Sequence, residues 1–328
     1  MELGIEPLRR SIEVEAGANL LEVLRQADIP ISYSCMAGRC GICRCKLIEG
    51  QVLFSGGDLR QPIISGQTEI LACQTTLTSP CRIEVPEPDE VVTHPAKLLK
   101  GQIVSIHQET YDIKKITVKT NKNLEFSPGQ YVLLQFTPDH TRPYSMAGIA
   151  GDELLVFYIR HVPGGHVSSY VFNELKTGDQ VRVSGPLGTS YLRRKHQGPI
   201  LCVCGGTGLA PVLSIVRGVI AAGMKNDVYV YFGVRSKNDV YCEDLLDHMV
   251  KIHPGLQIHK VVANGDVPQG MRRGLVTEAV SKDFKSLEGF QAYLCGPPAM
   301  VEATTLFVKK HGIKIEHIHA DAFYATQL

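Results

Sequence analysis

Hydrophobic and polar residues alternate in short runs through the middle of the chain. Between residues 100 and 183 five such runs are separated by turn residues: Gln102–His107, Ile113–Thr120, Gln130–Phe136, Leu154–Val162 and Gln180–Val183. Short strands at this spacing are typical of sheets that close on themselves. The pattern therefore predicts a small antiparallel β-barrel in the central part of the chain.

The pattern changes after Gly198. A continuous apolar run, Pro199–Cys204, leads into glycines, a helical stretch from about Pro211 to Gly223, and a second strand at Val228–Val234. An uninterrupted apolar strand followed by a helix and another strand is typical of a βαβ unit. We therefore predict a C-terminal α/β domain with a parallel sheet.

A proline-punctuated segment at residues 86–95 separates these regions from the N-terminal part of the chain. Residues that precede proline favour extended backbone, so this segment is predicted to be a linker. The resulting domain map is residues 1–90, 97–195 and 198–328.

Composition excludes several classes of function. The 328 residues carry 34 Lys and Arg against 33 Asp and Glu, and this near-neutral balance gives no support to binding of nucleic acid or of an anionic membrane surface. No apolar run approaches the roughly 18 residues of a membrane-spanning helix. The first residues lack the basic and apolar parts of a signal peptide. We expect a cytoplasmic, monomeric protein.

The charges are distributed unevenly along the chain. Residues 1–90 carry a net charge of −5, residues 91–200 carry +5, and the remainder carries +1. Opposite charges predict that the N-terminal domain docks on a basic face of the barrel. The run Arg193-Arg194-Lys195 is the candidate for that face; its alternative interpretation is a solvated surface.

Six of the ten cysteines lie before residue 90, and four of them have a recognisable spacing: Cys35, Cys40, Cys43 and Cys73. C-x₄-C-x₂-C with a distant fourth cysteine is the ligand spacing of plant-type [2Fe–2S] ferredoxins. A zinc site usually has paired C-x₂-C ligands, and a disulfide framework is typical of secreted chains. The spacing therefore favours an iron–sulfur cluster over both alternatives.

A glycine-rich loop lies between the first strand and first helix of the predicted α/β domain. Its residues are Gly205, Gly206, Thr207 and Gly208, and Pro211 follows in the first helical turn. Glycines let the backbone approach a pyrophosphate, and the helix N-terminus adds donors and a favourable dipole. This context predicts a dinucleotide site. Arg235, after the second strand, is a candidate for contact with a 2′-phosphate; its alternative interpretation is a solvated loop, so the choice between NADH and NADPH stays open.

Two motifs in the barrel resemble flavin signatures of the ferredoxin–NADP reductase superfamily. The first is Arg142-Pro143-Tyr144-Ser145; the second is Gly164-Gly165-His166-Val167-Ser168, which begins a helix predicted over 166–175. The resemblance implies that Arg142 and the helix N-terminus bind the pyrophosphate of FAD. It also implies that Tyr144 and Ser145 contact the isoalloxazine ring.

Two further motifs carry the same resemblance. Cys295-Gly296-Pro297 resembles a segment that lines the meeting point of nicotinamide and flavin in this superfamily. The tail Asp321-Ala322-Phe323-Tyr324 resembles the C-terminal segment whose aromatic residue shields the flavin; Phe323 and Tyr324 could both serve, and the resemblance favours Phe323. We expect Cys295, Ser145, Tyr144 and Phe323 to act at the reacting rings.

The order of cluster, flavin and nucleotide motifs resembles the reductase components of naphthalene-type dioxygenases along the whole chain. The resemblance implies a β-grasp-like α+β ferredoxin domain, an FAD-binding barrel and an NAD(P)-binding domain. It implies electron flow from NADH or NADPH through FAD and the cluster to a Rieske-type ferredoxin, which serves a terminal oxygenase. Direct donation to an oxygenase or diiron monooxygenase, and a redox sensor without steady turnover, remain alternatives.

The remaining histidines and cysteines are interpreted as structural. His317 and His319 have strand spacing and lack a third ligand nearby in the sequence, which favours a sheet surface over a metal site. Five cysteines outside the motifs are read as small structural thiols: Cys45, Cys81, Cys202, Cys204 and Cys242.

Overall fold

The computed structural model of the chain describes residues 1–27, 29, 31, 33, 38, 43–56, 59–64, 66, 68–85 and 94–324. Two of the four predicted cluster ligands, Cys35 and Cys40, lie outside these residues, as does most of the predicted linker. Within the described part of the chain no helix is long and apolar enough to cross a bilayer.

In its described residues, the N-terminal domain combines two small sheets with one α-helix. Its elements are β1 (Glu2–Glu6), β2 (Arg10–Glu13), α1 (Leu20–Gln26), β3 (Arg44–Glu49), β4 (Gln51–Gly56), β5 (Leu59–Ile64), β6 (Thr68–Leu71), β7 (Thr75–Leu77) and β8 (Cys81–Glu84). The strands are ordered β2-β1-β8-β3-β6 and β5-β4-β7. Helix α1 buries Leu20, Leu21 and Leu24. The α+β class expected for this domain is confirmed.

Helix α1 also helps to place the predicted cluster ligands. Its N-cap residue Asn19 accepts a hydrogen bond from the backbone of Glu22 and donates to the carbonyl of Cys73 at 3.1 Å. Cys73 lies in the short 3₁₀ turn Ala72–Gln74 between β6 and β7. One side chain therefore satisfies the helix start and fixes the turn that carries a ligand.

The central domain is a single antiparallel sheet. Its elements are β9 (Lys97–Thr110), β10 (Ile113–Thr120), β11 (Tyr131–Thr137), β12 (His140–Ser145), β13 (Leu155–Arg160), α2 (His166–Asn173) and β14 (Gln180–Leu187). The strand order is β12-β11-β14-β9-β10-β13, and the two edge strands β12 and β13 contact each other. This contact closes the sheet, as the predicted barrel requires.

The C-terminal domain has a parallel six-stranded sheet with helices on both faces. Its elements are β15 (Ile200–Gly205), α3 (Leu209–Ala221), β16 (Val228–Val234), α4 (Glu243–Ile252), β17 (Leu256–Val262), β18 (Arg272–Arg273), α5 (Val276–Asp283), β19 (Gln291–Gly296), α6 (Pro298–Lys310) and β20 (Ile318–Ala322). The strand order is β18-β17-β16-β15-β19-β20. The neighbouring strands β15 and β19 are buried along their whole length. The predicted α/β class is confirmed.

The central and C-terminal domains are joined by polar contacts. Arg217 on α3 forms a bidentate ion pair with Asp152, with N–O distances of 2.7 and 2.8 Å. The hydroxyl of Ser214, also on α3, donates to the carbonyl of Gly148 and accepts from the N–H of Gly129. These contacts fix α3, whose N-terminus follows the glycine-rich loop, against the barrel.

Two side chains that the sequence analysis places at a surface, those of Arg193 and His319, are buried. Arg193 is 4% exposed: its guanidinium donates to the carbonyls of Thr189 and Tyr191, and it lies 3.8 Å from the centre of the Tyr191 ring. Arg193 therefore cannot present a charge to a docking partner, whereas Arg194 and Lys195 of the same run are exposed, so docking on this face stays a prediction. His319 is 3% exposed and hydrogen-bonds Gln291 at 2.9 Å, so it belongs to the interior and not to a sheet surface.

Candidate functional site

The described residues of the cluster motif bring two sulfurs together. Cys43 immediately precedes β3, and its Sγ accepts a hydrogen bond from the backbone N–H of Cys73 at 3.5 Å. Hydrogen bonding with Cys43 lowers the pKa of Cys73 to about 6, although burial opposes the shift. A thiol stabilised as thiolate is the form that binds a metal. The two cysteines therefore suit an iron–sulfur cluster.

Gly38 supports the same pocket. Its φ of +78° is strained for other residues, and an added Cβ would lie 2.8 Å from Cγ of Gln74. Gln74 donates to Sγ of Cys73 at 3.8 Å. Gly38 and Gln74 thus bring amide donors to Sγ of Cys73, which would stabilise negative charge on a cluster.

All four residues of the first flavin motif lie on strand β12, at the edge of the barrel. Arg142 and Tyr144 are two positions apart and therefore share one face, whereas Ser145 points to the opposite face. The ring of Tyr144 packs edge-on against Phe136 at a centroid distance of 6.3 Å. Burial raises the pKa of Tyr144, so its hydroxyl stays neutral. Pro143 is compatible with this position because an edge strand has an unpaired side.

The second flavin motif forms the start of α2. Gly164 has a φ of +74°, and Gly165 is the N-cap of the helix. The hydroxyl of Ser168 accepts from the N–H of Val162 at 3.1 Å and donates to the carbonyl of Gly165. The serine therefore holds the loop in shape, while Val167 is buried against the barrel core.

The glycine-rich loop continues β15 into a 3₁₀ turn, Gly206–Gly208, and then into α3. An added Cβ at Gly208 would lie 2.2 Å from the carbonyl oxygen of Cys295, and Gly296 has a φ of +128° with the carbonyl of Gly205 at 2.6 Å from its virtual Cβ. The loops after β15 and β19 are thus in direct contact. Only glycines allow this approach, which opens the N-terminus of α3 to a phosphate.

A buried cysteine, a serine and an aspartate meet at the carboxyl end of the sheet. Cys295 on β19 is paired in register with Asp321 on β20, and the hydroxyl of Ser145 donates to Oδ2 of Asp321 at 3.3 Å. Burial raises the pKa of Asp321 to about 6, although the hydrogen bond from Ser145 and the charge of Arg25 oppose the shift. Burial also raises the pKa of Cys295 well above its usual value, so this thiol is neutral.

The predicted site residues of the Cys295 segment and of the tail differ in how exposed they are. Cys295 is fully buried in the core beneath the loop, and Pro297 beyond it is exposed. The backbone of Phe323 donates to the carbonyl of Gly296 at 2.9 Å, which brings the tail beside the same loop. Tyr324 is 43% exposed.

Two residues of the N-terminal domain, Arg25 and Tyr33, lie close enough to Asp321 for their charges to interact with it. The guanidinium of Arg25, at the end of α1, lies 4.6 Å from the centre of the Tyr33 ring. Burial raises the pKa of Tyr33, and the charge of Asp321 adds to the shift. Arg25 and Tyr33 therefore lie on the side of the N-terminal domain that faces Asp321.

Comparison with known proteins agrees with this arrangement. Residues 3–78 match the 2Fe-2S iron-sulfur cluster binding domain, residues 96–191 the oxidoreductase FAD-binding domain, and residues 202–305 the oxidoreductase NAD-binding domain. A naphthalene 1,2-dioxygenase system ferredoxin–NAD(P)(+) reductase component from Pseudomonas putida is 54% identical over 324 residues, which are 99% of each chain. The chain belongs to the iron–sulfur flavoprotein ferredoxin–NAD(P)⁺ reductases.

Other members of this reductase family extend the comparison. A reductase component of naphthalene 1,2-dioxygenase/salicylate 5-hydroxylase systems from Ralstonia sp is 55% identical over 99% of each chain. Among solved structures, the Amycolatopsis cytochrome P450 reductase GcoB is 30% identical with a TM-score of 0.73, and the ferredoxin reductase in carbazole 1,9a-dioxygenase is 28% identical with a TM-score of 0.66. Each covers 98% of both chains.

The family assignment confirms the predicted enzyme class and redox groups. This reductase is an oxidoreductase that uses FAD, a [2Fe–2S] cluster and NAD(P)H. The paired sulfurs at Cys43 and Cys73, the loop at Gly165 and the loop at Gly205–Gly208 fit these three groups. The role of each individual site residue stays a prediction.

Sequence reasoning missed four charged residues of the reductase. The resemblance of the tail motif implies no role for Asp321, although an acid within the largely buried strand Ile318–Ala322 is itself a signal of a special environment. Asp112, Arg160 and Asp239 form an ion-pair network between two domains and carry no such local signal.

Proposed function

We propose that this chain is the reductase of an aromatic-ring dioxygenase system of the naphthalene type and delivers electrons from NAD(P)H to a Rieske-type ferredoxin, which supplies a terminal oxygenase. The observation that carries the proposal is the hydrogen bond between Ser145 and Asp321, which joins the flavin strand to the coenzyme sheet. Arg25 and Tyr33 of the cluster domain lie near the same carboxyl, so all three domains meet there. The identity to dioxygenase reductases along the whole chain supports the choice of system.

Binding of the two nucleotides follows from the loop geometry. The N-terminus of α3 and the glycines at 205–208 bind the coenzyme pyrophosphate, because backbone donors and the helix dipole favour an anion there. The N-terminus of α2, together with Arg142, binds the pyrophosphate of FAD. Tyr144 orients the flavin ring by packing, supported from behind by Phe136.

The FAD held by these residues would supply hydride acceptance from NAD(P)H and single-electron transfer to the cluster, which together would convert two-electron into one-electron chemistry. The hydroxyl of Ser145, at the end of the flavin strand, donates to Asp321. The carboxyl of Asp321 holds or releases a proton near neutral pH. Neutral Cys295 keeps the floor of the site free of charge. Phe323, fixed to the carbonyl of Gly296, excludes water from the end of the site.

The cluster step is tested with Cys73→Ser in the full-length holoprotein. We expect NADH oxidation by ferricyanide, which needs the flavin alone, to persist. Reduction of cytochrome c or of a purified Rieske ferredoxin should fall by more than about 100-fold, since even outer-shell changes at metal sites cost about 10–100-fold. The matched control is Cys45→Ala, which removes a buried thiol of the same domain and should retain the cluster absorbance.

The choice of partner is tested by pairing the wild-type reductase with a Rieske ferredoxin plus terminal oxygenase, and with the oxygenase alone. Our proposal expects NADH-driven substrate oxidation only when the ferredoxin is present. Equal turnover without the ferredoxin would instead support direct donation to the oxygenase. Failure to reduce any acceptor beyond ferricyanide, with the cluster in place, would refute the electron-transfer role.

A further inference from the structure

Four charged side chains meet where the barrel touches the loop that follows β16. Asp112 and Arg160 come from the barrel, and Arg235 and Asp239 come from the coenzyme domain. Nη2 of Arg235 lies 2.9 Å from Oδ2 of Asp112 and 3.2 Å from Oδ1 of Asp239. Nε of Arg160 lies 3.1 Å from the same oxygen of Asp112. The two guanidinium groups are therefore matched by two carboxylates contributed by different domains.

The carboxylates of this network are fixed, whereas Arg235 is accessible. The side chains of Asp239 and Asp112 are 2% and 12% exposed, and that of Arg235 is 60% exposed. Asp239 accepts two further hydrogen bonds from the backbone and hydroxyl of Ser236, at 2.9 and 2.8 Å. Burial opposes ionisation of Asp239, but the bonds from Ser236 and Arg235 outweigh it and lower its pKa. Both acids thus hold Arg235 from the protein side.

The network lies at the coenzyme site. Strand β15 leads to the phosphate loop, and an added Cβ at Gly206 would lie 2.7 Å from Nη1 of Arg160. Strand β16, its parallel neighbour, leads to Arg235. In doubly wound sheets the side chain after the second strand meets the 2′ position of the adenosine ribose, where a free basic group accommodates a 2′-phosphate.

We propose that Asp112 is a coenzyme-specificity residue: together with Asp239 it holds Arg235 in a charge-balanced ion-pair network, so that the site prefers NADH to NADPH. This inference rests on the proposed function. The other cation of the loop, Lys237, pairs with Asp266 at 3.6 Å. A 2′-phosphate would therefore approach two fixed carboxylates and compete with them for Arg235. The unphosphorylated ribose of NADH brings no charge into this network.

The test compares kcat/KM for NADH and NADPH in the holoprotein, with ferricyanide as acceptor. We expect the wild-type protein to prefer NADH and Asp112→Asn to raise the NADPH/NADH ratio about tenfold, which corresponds to about 1.4 kcal/mol. The double variant Asp112→Asn with Arg235→Gln should lose this gain, because the released guanidinium is gone. Asp112→Glu, which retains the charge, should keep the wild-type preference for NADH.

A matched control separates specificity from loosening of the domain interface. Asp152→Asn removes the ion pair with Arg217 between the same two domains and does not touch Arg235. Its NADPH/NADH ratio should equal that of the wild type. An unchanged ratio in Asp112→Asn, or an equal change in Asp152→Asn, would overturn the inference.

Arg235→Gln alone gives an independent answer even where Asp112→Asn does not fold. Since the wild-type network withholds Arg235 from a phosphate, this variant should leave the NADPH/NADH ratio within about twofold, the scale of an exposed ion pair. A tenfold loss confined to NADPH would show that Arg235 already binds the 2′-phosphate and would overturn the inference. Absence of any NADH oxidation with FAD bound would refute the proposed function itself.

Discussion

Protonation of the Asp321 carboxyl should make the free energy of unfolding depend on pH, in addition to its effect on the reaction. Its pKa is raised by burial to about 6, against 3.8 for an ordinary aspartate. The folded protein therefore holds a proton on this group that the unfolded chain has already released between about pH 4 and 6. The stabilisation from this proton is fully present below pH 3.8 and is lost as the pH rises through 6. Asp321→Asn, which keeps the shape but not the charge, removes this loss.

The magnitude follows from the two pKa values. Linkage between protonation and folding gives a loss of about 1.4 kcal/mol of stability between pH 5 and pH 8 from this one group. In a unit the size of the barrel plus the coenzyme domain, that free energy corresponds to about 3–5 °C in Tm. The Tm difference between Asp321→Asn and the wild type should therefore grow by about 3–5 °C from pH 5 to pH 8.

The assay is thermal release of FAD fluorescence from the holoprotein at both pH values and equal ionic strength. Asp283→Asn is the control: hydrogen bonds from Tyr231 and Arg272 lower the pKa of Asp283 despite burial, so this acid is ionised throughout the window and its Tm offset should be constant. A constant offset for Asp321→Asn as well would refute the argument. In steady-state NADH oxidation, the same variant should lose any inflection near pH 6.

Two substitutions test the packing around α3 and the coenzyme loop. Ser214→Ala deprives two buried backbone groups of their partner and should destabilise the protein by about 2–4 kcal/mol, measured as a fall in Tm, whereas exposed Ser281→Ala should change it by less than about 0.5 kcal/mol. Gly208→Ala places a Cβ 2.2 Å from the Cys295 carbonyl and should raise KM for NADH at least about tenfold, since small displacements cost that much or more, while Gly66→Ala, which meets open space, should not. Wild-type values for either test variant would contradict the close contacts described above.

The strands that the sequence predicts well are those whose burial is regular. Strands β10 and β16 begin and end at the predicted residues Ile113–Thr120 and Val228–Val234, because their apolar positions follow the period of a barrel strand or fill a buried parallel strand. Strand β12 was missed because His140–Ser145 is polar and contains a proline. Its strand conformation comes from pairing with β11 at the barrel edge, which is a tertiary effect.

The residues of the candidate site also fall into those that the sequence predicts and those that it does not. The sequence predicts the phosphate loops because each is formed by a few consecutive residues, in which glycines allow the backbone to turn tightly and to approach a phosphate. Asp321 escaped notice because its partner Ser145 is 176 residues away in the chain. Asp112 and Arg235 are 123 residues apart, and they meet only because two domains pack together. Local motifs therefore locate cofactors, whereas the groups that tune pKa and specificity depend on long-range packing.

The predicted docking of the acidic domain on a basic face of the barrel stays a prediction, because Arg194 and Lys195 of the candidate run are exposed whereas Arg193 is buried. A domain's net charge sums over its whole surface, whereas docking depends on the few groups at the contact. Arg193 contributes to the net charge of +5 of the central region, yet its guanidinium is buried, where it donates to two carbonyls and packs on a tyrosine ring. At the flavin site the signs are reversed: Arg25, from the acidic domain, lowers the pKa of Asp321 in the coenzyme domain. Electrostatic coupling of the cluster domain thus depends on a positive group of the acidic domain, which a domain-level sum cannot reveal.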